Sequence, residues 1–239
     1  MMLVDVHSHM LPGIDDGSRD AETSAAMLKM SSDGGVSCVF VTPHYYPTAS
    51  AEHFLEERAK AAGIIRALSL ENKPGIKTGA EVYYHIGIQH EQALNELCYE
   101  GTRCILVEMP WNDWGSRALH DVSEIYSYRG FLPVIAHLER YESMTSRDSI
   151  KWLKSFPCLI QMNAEYIIDP KTRKKALKAI KHGEVDLLGS DAHGIQSRVP
   201  NLGEAFAVLN GAGLKKRAEE LLSNAERLWN GEMPLILRK

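Results

Sequence analysis

Apolar residues along the chain gather into short dense runs, separated by longer segments in which they recur every three or four positions. Seven runs have the length and β-branched character of strands, near residues 3–7, 36–42, 76–82, 104–109, 132–137, 158–163 and 185–190. Two of them, Val36-Ser37-Cys38-Val39-Phe40-Val41 and Cys104-Ile105-Leu106-Val107, are apolar on both faces, as parallel strands covered by helices must be. The segments between carry helix punctuation. Asp20 opens a helix containing Ala25, Met27, Leu28 and Met30 that stops at Gly34-Gly35, and a second covers about 51–69 and ends before Pro74-Gly75. Others are expected over 116–129, closed by Gly130, and over 170–182, opened by Asp169-Pro170 and closed by Gly183. The last 40 residues read as helix throughout, with Asn201 and Asn224 as N-caps. Strand and helix alternate in the rhythm of a β/α barrel, and without a linker, repeat or low-complexity tract residues 1–239 are expected to form a single domain.

In such barrels the C-terminal rim of the strands carries the chemistry. His7 and His9 follow the first run, and strand alternation puts them on one face, where two imidazoles can converge on an ion. The turn at Pro12-Gly13 then delivers Asp15 and Asp16. His44 follows the second run, Glu81 and Glu108 end the third and fourth, His137 ends the fifth, and Asp191 and His193 end the seventh. A single histidine at a strand end is usually a turn or core residue. Three carboxylates gathered in one cleft, however, repel one another unless a cation lies between them. With Asp16 the set holds five imidazoles and four carboxylates, too many for one ion and suited to two or three divalent ions bridged by carboxylates. Ligation without thiolate fits Mn, Fe or Zn better than a soft metal. Three such ions carry about +6 against four carboxylates, leaving roughly +2, a field that favours an anion such as phosphate. Arg140 and Arg198 lie on rim loops, where a guanidinium can grip phosphate through two parallel hydrogen bonds. Tyr45, Tyr46 and Trp111 follow strand ends and would supply an aromatic wall for a substrate ring. His85, His90, His120 and His182 fall away from the rim and are expected at the surface.

Composition narrows the function further. A net charge of -4 without a long basic run argues against a sequence-independent nucleic-acid binder. No apolar run approaches the ~20 residues of a membrane span and no leader precedes the first strand, so a cytoplasmic protein without membrane insertion is expected. Cys38, Cys98, Cys104 and Cys158 form no C-x-x-C pair and sit in or beside apolar runs, as reduced packing residues do. A cysteine-based tyrosine phosphatase needs an Arg six positions after its Cys; those positions hold His44, Cys104, Pro110 and Ala164, which excludes the thiol route.

The stretches His7-Ser8-His9-Met10-Leu11-Pro12-Gly13-Ile14-Asp15-Asp16-Gly17, Gly79-Ala80-Glu81-Val82-Tyr83-Tyr84 and Ile135-Ala136-His137-Leu138-Glu139-Arg140-Tyr141 resemble the PHP (polymerase and histidinol phosphatase) superfamily, and within it the bacterial tyrosine-protein phosphatases of the CpsB/YwqE type. The resemblance covers nearly the whole chain. It implies a distorted seven-stranded (β/α)7 TIM-like barrel. Metal ligands then fall on His7, His9, Asp16, His44, Glu81, Glu108, His137, Asp191 and His193, and phosphate contacts on Arg140 and Arg198. The implied substrate is phosphotyrosine on a bacterial tyrosine kinase of capsule or exopolysaccharide control; the matching mechanism is in-line attack by a hydroxide held between two metals, with a ligated water or a rim acid such as Asp16 helping the leaving phenolate. The chain departs from the pattern in a shorter segment between Asn163 and Asp191 and in the tyrosines of Tyr45-Tyr46-Pro47, both beside the pocket. The same ligand set would serve a histidinol-phosphate phosphatase or a nuclease like the domain of bacterial DNA polymerases. An idle scaffold that holds a kinase would have no use for nine costly polar residues around one cleft.

Overall fold

Each apolar run predicted as a strand is extended in the computed structural model of the chain, which describes residues 1–48 and 50–238. Nine strands are present among the described residues where seven runs were expected: β1 (Val4–Asp5), β2 (Cys38–Val41), β3 (His44–Tyr45), β4 (Gly75–Thr78), β5 (Glu81–Tyr83), β6 (Cys104–Glu108), β7 (Leu132–Ile135), β8 (Leu159–Asn163) and β9 (Leu187–Gly189). The excess has a local cause. β2 leads into β3 across Thr42-Pro43, where the proline has no N–H to give the ladder, and β4 leads into β5 across Gly79-Ala80. Hydrogen bonding persists over both breaks, from Gly79 N to Val41 O at 2.9 Å and from Glu81 N to Pro43 O at 3.0 Å.

All pairings are parallel, in a three-stranded sheet ordered β1-β2-β4 and a curled six-stranded sheet ordered β3-β5-β6-β7-β8-β9. Beyond β9 the curl meets the first sheet again, where Ser8 bridges Ala192 and His9 N donates to Ala192 O at 2.9 Å. Val4, Phe40, Leu106, Val134 and Leu187 fill the interior, and further apolar layers lie between strands and helices. Period-two alternation in β6 runs from Cys104 and Leu106 to Glu108, so the interior that is apolar at one end becomes polar at the other.

Helices α1 (Ala21–Asp33), α2 (Ala51–Ala67), α3 (Leu94–Leu97), α4 (Ser116–Ser127), α5 (Arg147–Leu153), α6 (Ala164–Ile168), α7 (Arg173–Lys181), α8 (Leu202–Gly211) and α9 (Lys215–Trp229) surround the strands. Asp20 caps α1 as expected, its carboxylate accepting from Thr23 N at 2.7 Å. The helix expected at 170–182 starts three residues later as α7, because residues 169–172 are spent on a turn after the short α6. The C-terminal stretch is not helix throughout: α8 and α9 are separate and residues 230–238 return as an irregular tail. Asn201 stands at the N-cap of α8 without a capping bond. Asn224 is no cap. It is buried inside α9 and holds the tail, donating to Asp186 O at 3.0 Å and Leu235 O at 2.7 Å while accepting from Leu235 N at 2.9 Å. Among the described residues no helix is long and apolar enough to cross a membrane.

Candidate metal centre

The strand ends converge as the barrel rhythm requires. His7 and His9 lie just past β1, and their Nε2 atoms face each other at 3.1 Å. Each is 3.2 Å from Glu81 Oε2 at the start of β5 and 3.4–3.5 Å from Asp191 Oδ1 after β9. His44 Nδ1, from β3, lies 3.0 Å from the same Glu81 oxygen and 3.7 Å from Glu108 Oε2. His137 Nε2 hydrogen-bonds Glu81 Oε1 at 2.9 Å and lies 3.8 Å from Glu108 Oε1. At the mouth, Asp16 Oδ1 sits 3.5 Å from His44 Nε2 and 3.4 Å from His193 Nε2. The structure thus brings together all nine residues singled out in the sequence. Their ligand atoms fall into three overlapping groups: His7, His9, Glu81 and Asp191; His9, Asp16, His44 and His193; and His44, Glu81 and Glu108. His137 joins them through Glu81.

These residues fit divalent metal. Glu81 Oε2 is fully buried within 3.0–3.2 Å of three imidazole nitrogens yet hydrogen-bonds none of them, and His44 Nδ1 and His193 Nε2 are likewise buried without a partner. A carboxylate oxygen and ring nitrogens that converge on a common point without hydrogen-bond geometry between them are what cation ligation requires, and leaving them unpaired would be costly. The protonation pattern agrees. Burial raises the Glu81 carboxyl, but the His7 charge and the His137 hydrogen bond outweigh it and hold Glu81 well below the usual range. Burial, with the His9 charge, pushes His193 down to about 4, and burial also lowers His44 and His137, which keeps those rings neutral. His7 and His9 go the other way. Burial lowers both, yet Glu81 and Asp191 around His7, and the Asp15 hydrogen bond on His9, raise them. Protons there supply positive charge that metal would otherwise bring. Burial and the Glu81 charge push Glu108 up to about 7.

Side chains absent from the predicted set orient the ligands. Of the pair Asp15 and Asp16, only the second faces the cluster. Asp15 is turned behind it, accepting from His9 Nδ1 at 2.7 Å, His44 N at 3.1 Å and Gly17 N at 3.0 Å. β8, the strand without a ligand-type residue, contributes amides instead. Gln161 Oε1 accepts from His7 Nδ1 at 3.2 Å and His137 N at 2.8 Å; Gln161 Nε2 donates to Asn163 Oδ1 and Asn163 Nδ2 to Asp191 Oδ2, both at 2.8 Å. This directed chain sets His7 Nδ1 as the donor to Gln161 and aims Nε2 inward. Two glycines permit the close approach: a Cβ on Gly17 would stand 2.2 Å from His9 O, and one on Gly189 2.5 Å from His7 Cβ. His137, Asp191 and Arg198 all have positive φ (32°, 52° and 47°), a conformation that costs non-glycine residues energy and gathers at functional sites.

Arg140 and Arg198 reach the cluster from rim loops, Arg140 Nη2 meeting Asp191 Oδ2 at 2.6 Å and Arg198 Nη2 meeting Asp191 Oδ1 at 2.7 Å. Tyr46, 47% exposed, stacks on His44 at 5.4 Å, and Trp111, 44% exposed, stacks on His137 at 5.8 Å, so both wall the mouth. Tyr45 does not. Alternation turns it to the opposite face from His44, where it packs on Phe54 at 5.1 Å and its hydroxyl meets Glu91. His90, His120 and His182 are exposed and His85 is half-buried, all outside the cluster. The four cysteines are buried and free, also apart from it.

A family model described as "Capsular polysaccharide synthesis, CpsB/CapC" matches residues 3–230. Tyrosine-protein phosphatase CpsB of Streptococcus pneumoniae is 27% identical over 94% of this chain and 97% of its own. Tyrosine-protein phosphatase YwqE of Bacillus subtilis is 25% identical over 95% and 91%. A crystal structure from the study of YwqE of B. subtilis and CpsB of S. pneumoniae, described there as unique metal-dependent tyrosine phosphatases, superposes with a TM-score of 0.84 at 21% identity, covering 98% of this chain and 96% of that one.

Proposed function

Because the chain belongs to the CpsB/CapC family of capsular polysaccharide synthesis, we propose that it is a metal-dependent protein-tyrosine phosphatase acting on phosphotyrosine proteins, among them a bacterial tyrosine kinase, in capsule or exopolysaccharide control. The observation that carries this reading is the buried Glu81 oxygen with three imidazole nitrogens within 3.2 Å and no hydrogen bond to any of them. His7, His9, Asp16, His44, Glu81, Glu108, His137, Asp191 and His193 would hold two or three divalent ions, manganese by preference, with iron or zinc compatible with the same donors. Bound there, the metal supplies Lewis acidity and a water of lowered pKa. The chain's own residues do the rest. Arg140 and Arg198 hold the phosphoryl oxygens with N–H groups not used by Asp191 and neutralise the charge that grows there. A ligated water or Asp16, at the mouth, would help the departing phenolate. Trp111 and Tyr46 flank the substrate ring. The seven strand runs form one distorted (β/α)7 barrel of the PHP type, a single domain over 1–239, and the protein works in the cytoplasm.

The depth of the centre supports phosphotyrosine. Its floor, with Glu81 fully buried and Asp191 1% exposed, lies below the Trp111 and Tyr46 rings, and a tyrosine side chain carries its phosphate several ångströms farther from the backbone than serine does. Phosphotyrosine peptides are therefore expected to turn over at least about a hundredfold faster than phosphoserine peptides of the same sequence, measured as kcat/KM. Equal rates, or a preference for histidinol phosphate, would assign the centre to another phosphoesterase.

The amide chain behind the ligands gives a second expectation. Gln161→Leu removes the acceptor that fixes the His7 tautomer and breaks the link to Asp191, so metal affinity and activity should each fall about 10–100-fold. Metal titration against kcat measured at saturating metal checks this. A variant with unchanged affinity would show that the amides only fill space.

A further inference from the structure

A groove of about 630 Å³ opens between α4 and α5, lined by Trp114, Leu119 and Trp152 together with Arg117, His120 and Asp148. Its floor is fixed. Trp114 is buried and its indole donates to Pro110 O at 3.1 Å, while its backbone N–H donates to the Thr145 hydroxyl at 3.1 Å and its carbonyl accepts from the Ser149 hydroxyl at 3.2 Å. Its wall is open: Trp152 is 42% exposed.

Ring contacts tie the groove's floor to the centre through the buried Tyr141. His137 packs on Tyr141 at 5.6 Å, Tyr141 on Trp114 at 5.1 Å, and Trp111, which stacks over His137, also touches Tyr141 at 5.3 Å. The loop that follows Glu108 therefore carries a ring of the mouth, Trp111, and the floor of the groove, Trp114, three residues apart. Those ring contacts put Trp114 no more than about 11 Å from His137, roughly three residues of extended chain.

We propose that this groove receives the polypeptide flanking the phosphotyrosine, taking an apolar side chain about three to five residues away between Trp114 and Trp152, and so sets which phosphoproteins are preferred. The inference rests on the phosphatase reading. An apolar side chain is the fitting occupant because Trp114, Leu119 and Trp152 supply the large apolar lining, while the Arg117 guanidinium is already paired with Asp121 at 3.1 Å. Free phosphotyrosine has nothing to place there.

The test compares kcat/KM of the metal-loaded wild type, Trp152→Ala and Ser116→Trp, the last placing a bulky ring at the groove's edge. The substrates are free phosphotyrosine, a phosphotyrosine peptide with Leu at the fourth position after it, and the same peptide with Gly there. Both variants should lower the ratio of the Leu peptide to free phosphotyrosine about tenfold, through KM, and remove the wild type's preference for Leu over Gly. Unchanged ratios in both variants, or no preference between the peptides in the wild type, would overturn the groove while leaving the phosphatase standing. Failure of the wild type to hydrolyse free phosphotyrosine would instead remove the reading beneath it, and the proposal with it.

Discussion

Glu81→Gln is expected to lower kcat/KM for a phosphotyrosine peptide by at least about a thousandfold, or some 4 kcal/mol of transition-state stabilisation. Glu81 is the residue the whole centre shares: one oxygen accepts from His137 at 2.9 Å, and the other faces His7, His9 and His44. A neutral amide keeps the shape and loses both the charge and one acceptor, so ligation by the three imidazoles fails together. Stability of the metal-free protein should fall as well, since the His7 charge and the His137 hydrogen bond hold the Glu81 carboxylate in its charged form and its loss leaves those imidazoles without their buried partner. Metal content, turnover and thermal unfolding without metal, measured on the same preparation, separate the two effects. Turnover near wild type with metal retained would show that Glu81 is no ligand.

Chelation should do to the wild type what Glu81→Gln does by substitution. Exhaustive treatment with a chelator is expected to remove activity by about three orders of magnitude, and added manganese to restore it. Thiol alkylation is expected to leave activity intact. Burial pushes the Cys98 and Cys104 thiols up to about 12 and Cys158 to about 11, and raises Cys38, so the reactive thiolate is scarce as well as shielded. Inactivation by alkylation with chelator harmless would point to a cysteine mechanism that the geometry gives no place to.

The ligand-type residues were legible because a barrel makes strand ends neighbours, so a position in sequence becomes a position in space without knowledge of any side-chain contact. What failed to be legible depends on information local sequence does not carry. Asp15 and Asp16 are adjacent and chemically identical, and only the turn decides that Asp16 faces His44 and His193 while Asp15 backs His9. Gln161 and Asn163 orient the ligands through amides, a chemistry with no metal-site signature in a sequence, though the absence of a ligand from one strand of seven was itself a signal to look at that strand's inward positions. Tyr45 was misplaced because adjacency to His44 suggested the mouth, whereas alternation sends neighbours to opposite faces. Asn224 has the chemistry of a cap, and only the returning tail makes it a clamp. The doubling of two strands follows from Pro43 and from Gly79-Ala80, which interrupt the ladder without ending the run.

The most direct test of the metal centre is elemental analysis of the purified protein combined with anomalous scattering from its crystals. About two to three divalent ions per chain are expected, lying among His7, His9, Glu81, Asp191, His44 and Glu108 and lost in parallel with activity on dialysis against chelator. Full turnover in protein holding less than about a tenth of an ion per chain, or ions found only at His120, Asp121 and Glu124 on α4, would contradict it.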